Sequence, residues 1–236
     1  MSDDVEIRRR VLTANLDLVR LGLVIFTWGN ASAVDRERGL MYIKPSGVDY
    51  ARMTPDDIVP VRLADGTVAS GNLRPSSDTP THLALYRAWP RVGGIVHTHS
   101  EYATAIAQAG VPIPAQGSTH ADYFHGDVPV TRGLTRSEVE GDYESRTGDV
   151  IIERFVQGQM DPIAVPGVLV DQHGPFSWGV TVEQAVMHAG TMEHLSKMFV
   201  HAAAVAPRLR RVPRYLLDKH YQRKHGPKAY YGQKPG

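Results

Sequence analysis

The sequence predicts an α/β fold in which helices cover both faces of a mixed or antiparallel sheet. Helical and strand patterns are interspersed along the chain, which is typical of that class. Several predicted strands are joined by short polar turns rather than by helices, which argues against a doubly wound parallel sheet. The chain has 236 residues with no internal repeat and no low-complexity linker, so we expect a single domain spanning 1–236.

The first element is predicted to be a helix that ends at Gly22, because acidic residues near its start suit the positive end of a helix. Its apolar residues recur at helical spacing and should face the core. These residues are Val5, Leu12, Leu16 and Val19. Two strands, 24–34 and 40–43, should follow, joined across the polar turn 35–39.

Residues 79–171 predict five more helices or strands of clear pattern. A helix starts after Thr79, with Pro80 in its first turn, and stops before Pro90. Residues 92–99 then form a strand, and Ser100 caps a helix that ends at Gly110. A helix over 138–157 and an apolar, β-branched strand over 165–171 come next.

The last long helix should start at Thr181, where Thr181 and Gln184 fit a capping box, and should run to about residue 206. The tail from 208 to 236 is locally basic. It is either a solvated tail or a segment that meets an anion or a neighbouring subunit.

Composition excludes several classes of partner. The 26 basic and 25 acidic side chains nearly cancel, so neither a nucleic-acid partner nor a membrane partner is expected. No apolar stretch approaches the roughly 18 residues of a membrane span, and the acidic start of the chain is unlike a secretory signal. We therefore expect a cytoplasmic protein. The absence of cysteine leaves only histidine, carboxylate or water to bind a metal ion.

A histidine pair gives the strongest chemical signal. His97 and His99 flank Thr98 at the end of a predicted strand, so both imidazoles point to the same face and can reach one ion. Taken alone, the pair is more simply interpreted as solvated or hydrogen-bonded histidines. His173 follows another buried strand and precedes Gly174-Pro175, where a site can open. Asp78 lies in a polar loop before a helix, where a helix cap is the simpler interpretation.

Three short segments have the composition of an anion-binding loop. They offer small side chains, hydroxyls and backbone N–H groups, and Lys44 adds a cation. The segments are Gly29-Asn30, Lys44-Pro45-Ser46-Gly47 and Ser76-Ser77. Because glycine, asparagine and serine are also ordinary turn formers, simple turns are the favoured interpretation of these segments taken alone.

Taken together, the motifs resemble the class II aldolase family, in order and over nearly the whole chain, from Trp28 to Tyr231. Eight segments carry the resemblance: Thr27-Trp28-Gly29-Asn30, Ile43-Lys44-Pro45-Ser46-Gly47-Val48, Pro75-Ser76-Ser77-Asp78-Thr79-Pro80-Thr81-His82, Gly94-Ile95-Val96-His97-Thr98-His99-Ser100, Thr119-His120-Ala121-Asp122-Tyr123-Phe124, Pro166-Gly167-Val168-Leu169-Val170, His173-Gly174-Pro175-Phe176 and the tail from Lys219 to Gln233.

The resemblance implies a three-layer α/β/α fold with a largely antiparallel central sheet. It also implies a homotetramer whose sites lie between subunits, with the tail 208–236 at the interface. Zinc or another divalent cation would be bound by His97, His99 and His173, with Asp78 as a further or intermittent ligand. Asp122 and Tyr231 would be the acid/base pair. The substrate would be held by Gly29, Asn30, Lys44, Ser46, Gly47, Ser76, Ser77 and Ser118, with His220 and Arg223 from a neighbour's tail.

Position 78 favours one branch of the family. The aldolase members carry a catalytic glutamate there, whereas the sugar-phosphate 4-epimerase branch carries aspartate, as this chain does. The implied reaction is inversion of carbon 4 of L-ribulose 5-phosphate to give D-xylulose 5-phosphate, by retro-aldol cleavage and re-addition. Three alternatives remain: an aldolase that releases two products, a non-catalytic domain like the adducin head, and an unrelated metallohydrolase. The metallohydrolase would not explain the anion-type loops.

Overall fold

A computed structural model describes residues 3–206 and 208–231. The helices are α1 (Asp3–Arg20), α2 (Thr79–Ala88), α3 (Glu101–Gln108), α4 (Ser118–Ala121), α5 (Arg136–Glu140), α6 (Tyr143–Gln157), α7 (Val182–Val205) and α8 (Arg214–His225). The strands are β1 (Asn30–Asp35), β2 (Leu40–Ile43), β3 (Val59–Arg62), β4 (Gly94–His97), β5 (Gly167–Val170) and β6 (Gly174–Gly179). Two short 3₁₀ turns, Tyr50–Arg52 and Pro55–Asp57, precede β3.

The strands form one sheet in the order β3-β2-β1-β4-β6-β5, and every neighbouring pair is antiparallel. Alternate side chains enter two separate apolar cores: Ile95 of β4 packs with residues of α2 and α6, and Val96 packs with residues of α1 and α7. Helices therefore cover both faces. The predicted three-layer α/β/α fold with an antiparallel sheet is confirmed.

The strand predicted over 24–34 is wrong in its first half, because β1 begins only at Asn30. Phe26 and Gly29 have φ angles of 54° and 75°, which a strand does not allow. A Cβ atom on Gly29 would lie 2.9 Å from the carbonyl oxygen of His97. The segment is therefore a loop that brings its backbone close to the end of β4.

The helix predicted over 138–157 is two helices, since α5 ends at Glu140 and α6 begins at Tyr143. Gly141 interrupts them with a non-helical backbone (φ −95°, ψ −120°). The strands predicted over 92–99 and 165–171 are present but shorter, as β4 and β5. Their predicted ends lie in the loops that carry polar residues.

The buried face of α1 was predicted only in part: Leu12 packs against the core as expected, but Leu16 and Val19 do not. The buried stripe consists of Val11, Ala14, Asn15 and Leu18, whereas Leu16 and Val19 are 39% and 44% exposed. Asn15 takes a core position because its side chain bonds the backbone of Ala31 in both directions. Because Asn15 is polar, the spacing of the apolar residues did not reveal which side of α1 faces the core.

Four elements were not predicted: β3, β6, α4 and α8. β3 and β6 each contain a proline, at Pro60 and Pro175, and β6 starts with glycine, so their sequences resemble turns. The predicted basic tail forms α8, where Leu217 packs on Ala115 and Ala121. Residues 232–236 of that tail lie outside the described residues. The single-domain organisation over 1–236 stays a prediction.

The helices begin close to the predicted residues, but not every predicted capping hydrogen bond is present. α2 spans the predicted residues, and Thr181 accepts a hydrogen bond from the Gln184 N–H at the start of α7. Ser100 precedes α3 but makes no side-chain cap; the Glu193 carboxylate accepts the N–H groups of Tyr102 and Ala103 instead. Within residues 3–206 and 208–231, no helix combines the length and apolar character that crossing a bilayer requires.

Candidate active site

Neighbouring strands bring three histidines together. His97 ends β4 and His99 follows two residues later, while His173 lies in the turn between β5 and β6. Because β4 pairs with β6, and His97 is directly opposite Phe176, that turn lies beside the end of β4. The predicted convergence of the three imidazoles is therefore present.

The three rings are close enough to share one ion. One ring nitrogen from each lies within 4.8 Å of the others, and Nε2 of His97 is 3.1 Å from Nε2 of His99. Burial, together with the proximity of His97, lowers the pKa of His99 to about 4 and that of His173 to about 3. Since neutral imidazole is the metal-binding form, this donor set fits a divalent cation.

Two of the rings have a neighbouring polar group at Nδ1 that fixes their orientation. Nδ1 of His97 is 3.0 Å from the carbonyl oxygen of Pro175, and the ring stacks on Phe176 at 4.1 Å. A carbonyl only accepts, so Nδ1 carries the proton and Nε2 carries the lone pair. Nδ1 of His173 lies 3.3 Å from the hydroxyl of Tyr143. Ring nitrogens directed in this way are typical of metal-binding histidines.

Asp78 precedes α2 but does not cap it. Its Oδ2 accepts a hydrogen bond of 2.6 Å from the Asn30 amide instead. Burial acts to raise the pKa of Asp78, but the nearby His97 and His82 and the bond from Asn30 together lower it. The carboxylate is thus ionised and turned towards the histidines, although it is not one of the three groups that converge on a single point.

Two of the three anion-type segments, 44–47 and 76–77, lie side by side. The Ser46 N–H donates to the carbonyl of Arg74, and the Ser76 N–H donates to the carbonyl of Lys44, both at 2.9 Å. Lys44 is buried between them; its Nζ donates to the Pro45 carbonyl at 3.2 Å and lies 4.8 Å from the centre of the Tyr50 ring. Gly47 has a φ of 69°, which suits the tight turn after Ser46.

These features enclose one cavity of about 570 Å³, called the His cavity below. It contains every predicted metal ligand and seven of the predicted substrate residues. Its predicted lining residues are Gly29, Asn30, Lys44, Ser46, Gly47, Ser76, Ser77, Asp78, His97, His99 and His173. Residues distant in sequence therefore form one pocket with a candidate metal site on one side and anion-type loops on the other.

Sequence reasoning missed four polar or aromatic residues of the His cavity as site residues: Thr27, Trp28, Tyr143 and Glu144. The first two belong to a recognised motif but received no role. Tyr143 and Glu144 were assigned to the middle of a helix. Gly141-Asp142 directly before them is a helix stop followed by a start, and this was the available signal.

The remaining predicted residues form a second group, the α4–α8 cluster, defined as Asp122, His220, Arg223 and Tyr231. Arg223 donates to both carboxylate oxygens of Asp122, at 2.9 and 2.6 Å, and Nδ1 of His220 is 3.1 Å from Oδ1. Burial would raise the pKa of Asp122, but these hydrogen bonds lower it. The guanidinium of Arg223 lies 4.7 Å from the Tyr231 ring. None of the four, nor Ser118 at the start of α4, lines the His cavity of the same chain.

Comparison with known proteins agrees with this fold. The family described as class II aldolase and adducin N-terminal domain matches residues 9–200. L-ribulose-5-phosphate 4-epimerase UlaF of Salmonella paratyphi C (strain RKS4594) is 56% identical over 229 residues, which cover 97% of this chain and 99% of that protein. UlaF of Salmonella choleraesuis (strain SC-B67) has the same identity and coverage.

Solved structures support the same assignment. An L-fuculose 1-phosphate aldolase is 25% identical, with a TM-score of 0.77 over 92% of this chain and 95% of that one. L-fuculose 1-phosphate aldolase from Glaciozyma antarctica PI12, at 19% identity and a TM-score of 0.77, shares the fold over 97% of this chain and 85% of its own. The chain belongs to the class II aldolase and adducin N-terminal domain family.

Proposed function

We propose that the protein epimerises L-ribulose 5-phosphate to D-xylulose 5-phosphate at carbon 4, with zinc or another divalent cation as cofactor. The observation that carries the proposal is the His cavity, which combines three converging imidazoles with the anion-type segments around Lys44. Relatives that are 56% identical over nearly their whole length carry the name of this activity.

The reaction needs a route that simple proton abstraction does not offer. The hydrogen on carbon 4 is β to the ketone, so its removal gives no resonance-stabilised anion. Breaking the bond between carbons 3 and 4 gives the enediolate of dihydroxyacetone and glycolaldehyde phosphate. The aldehyde then presents its other face, and re-addition inverts the centre.

The residues of the His cavity divide this work. His97, His99 and His173 would hold the cation, with Asp78 as a further ligand. The cation supplies Lewis-acid stabilisation of the negative charge that develops on bond cleavage. The substrate, chiefly its phosphate, would be held by Gly29, Asn30, Lys44, Ser46, Gly47, Ser76 and Ser77. A bound phosphate keeps the aldehyde fragment in place between cleavage and re-addition.

Inversion also requires proton transfer at the carbon-4 oxygen from two sides, which calls for two acid/base groups. We assign these roles to Asp122 and Tyr231, with Ser118, His220 and Arg223 as supporting residues. All five lie outside the His cavity of their own chain. The proposal therefore includes a homotetramer in which the α4–α8 cluster of one subunit faces the His cavity of the next, with the tail 208–236 at the interface. A cytoplasmic location stays a prediction.

The test is to incubate the pure protein with L-ribulose 5-phosphate and to follow D-xylulose 5-phosphate. We expect turnover that a chelator abolishes and that added zinc restores. A His99→Ala protein should stay inactive with zinc present. Stoichiometric accumulation of free glycolaldehyde phosphate would instead identify an aldolase, and a parent protein that binds no metal would point to a non-catalytic domain.

A further inference from the structure

Tyr143 has no role in the function proposed above, yet it lines the His cavity. It is the first residue of α6, directly after the break at Gly141 and Asp142. A Cβ atom on Gly141 would lie 3.0 Å from the Ser137 carbonyl, so the turn between the helices is tight. The break sets the direction of α6 and brings its first side chain to the metal side of the cavity.

The first turn of α6 is held firmly on α2. Thr81 of α2 donates a hydrogen bond of 2.6 Å to the Glu144 carbonyl. Within α6, Thr147 donates one of 2.9 Å to the carbonyl of Tyr143. Gly148 lies so close to α2 that a Cβ atom there would be 2.6 Å from the Cβ of Ala84. Tyr143 therefore starts from a rigid element rather than from a loop, as a precise contact requires.

The Tyr143 hydroxyl lies 3.3 Å from Nδ1 of His173, with the ring centres 5.9 Å apart. His97 has the Pro175 carbonyl in the corresponding place. An acceptor behind one nitrogen fixes the proton there and leaves the lone pair on the other nitrogen, which is the one that binds metal. His173 obtains this acceptor from a side chain of a separate helix.

We propose that Tyr143 is a positioning residue whose hydroxyl accepts the Nδ1–H of His173 and so directs Nε2 of that ring to the metal ion. The inference rests on the metal site of the proposed function and adds a residue that controls it. Only the hydroxyl of Tyr143 makes the proposed contact, so a substitution that removes this oxygen and keeps the ring tests the proposal.

The experiment compares Tyr143→Phe with Tyr102→Phe, which removes a hydroxyl from a half-buried tyrosine outside the His cavity. Zinc affinity is measured by competition with a chromophoric chelator, without substrate. We expect Tyr143→Phe to bind zinc about 10- to 100-fold more weakly, with circular dichroism and melting temperature unchanged, and Tyr102→Phe to match the parent.

A second measurement reads the tautomer of His173 directly. In ¹⁵N spectra of the zinc-free protein, His173 should be protonated at Nδ1 in the parent and should lose that preference in Tyr143→Phe.

The inference is overturned if Tyr143→Phe binds zinc as tightly as the parent, if the His173 tautomer is the same in both, or if the parent binds no zinc. Its failure is distinct from that of the proposed function, because affinity and tautomer are read without substrate. A parent that binds zinc through His173 but does not convert L-ribulose 5-phosphate would count against the epimerase alone.

Discussion

Among the described residues that line the His cavity, Lys44 is the only one with a cationic side chain. It is 2% exposed, and burial lowers its pKa while Asp49 acts in the opposite direction. Its neighbours are the carbonyl oxygens of Thr27 and Pro45 and the Tyr50 ring, and no carboxylate lies within 4 Å of it in the described part of the chain. A buried ammonium without a carboxylate partner is stabilised by an arriving anion.

We therefore expect Lys44→Met to raise the KM for L-ribulose 5-phosphate by about 10- to 100-fold, the value of one hydrogen bond to a charged group. Steady-state kinetics at neutral pH measure this. Unphosphorylated L-ribulose serves as the matched substrate, because it lacks the anion that Lys44 would bind. An equal loss for both substrates would show that Lys44 does not act on the phosphate.

Tyr231 allows an equally direct comparison with its neighbour. Tyr230 and Tyr231 are similarly exposed (64% and 56%), and both backbone N–H groups donate to the Arg223 carbonyl. Tyr231→Phe should lower kcat by about 10²- to 10⁴-fold, as expected for loss of a general acid or base, with zinc content and melting temperature unchanged. Tyr230→Phe should keep most of the parent rate. Near-normal turnover by Tyr231→Phe would refute its assigned role.

Most residues of the candidate site were predictable because they lie in short motifs that keep their own geometry. His97 and His99 share one face of a strand end, and Ser46-Gly47 makes a turn, whatever the rest of the chain does. Tyr143 and Glu144 were not predictable in this way. Their place in the cavity depends on the break at Gly141 and on the packing of α6 against α2, which are tertiary features.

At the scale of elements, the close approach of α7 to β4 fixes the middle of the sheet. A Cβ atom on Gly94 would lie 2.3 Å from Cα of Val182, which is backbone and cannot move aside alone. Gly94→Ala should therefore reduce the free energy of unfolding by about 2 kcal/mol or more. Gly190→Ala is the control: Gly190 lies inside α7, and a Cβ there meets only Leu21 at 3.6 Å. It should be neutral or stabilising by up to about 1 kcal/mol. Urea unfolding measures both, and equal midpoints would contradict the packing argument.

Elements with a regular pattern, α2 and α7, were predicted almost to their ends, because proline and threonine mark where they start. β6 was missed because Gly174-Pro175 resembles a turn, yet Pro175 pairs with Leu169 in the ladder. α8 was missed because its sequence is strongly basic and only Leu217 of its residues is buried, so it has no clear apolar face. Such elements are stabilised by their neighbours more than by their own sequence, so local patterns do not reveal them.

At the scale of the whole molecule, the His cavity and the α4–α8 cluster are separate in one chain. The His cavity contains the proposed cation and phosphate sites, and the α4–α8 cluster contains the proposed acid/base pair. The Asp122–Arg223 pair and the contact of Arg223 with Tyr231 hold the cluster together as a unit. A subunit interface that joins cluster to cavity completes the proposed site, as a closed symmetric oligomer allows.

Mixed oligomers test this arrangement. His99→Ala and Tyr231→Phe should each be nearly inactive, but co-expression of the two should restore activity at about a quarter of the sites, where an intact cavity meets an intact cluster. Co-expression of Asp122→Asn with Tyr231→Phe is the control and should restore nothing, because both changes lie in the cluster. If the first pair also stays inactive while forming mixed oligomers, each site is built within one chain.

The separation of His97 from His173 along the chain has a further consequence. The two rings meet only once β4, β6 and β5 are paired, so an unfolded chain offers the ion scattered single imidazoles and little affinity. An ion that binds the native state alone stabilises it by mass action, by about 2.7 kcal/mol when its free concentration is 100 times the dissociation constant. A cell short of the metal would then lose the protein itself, through faster degradation, as well as its catalytic turnover.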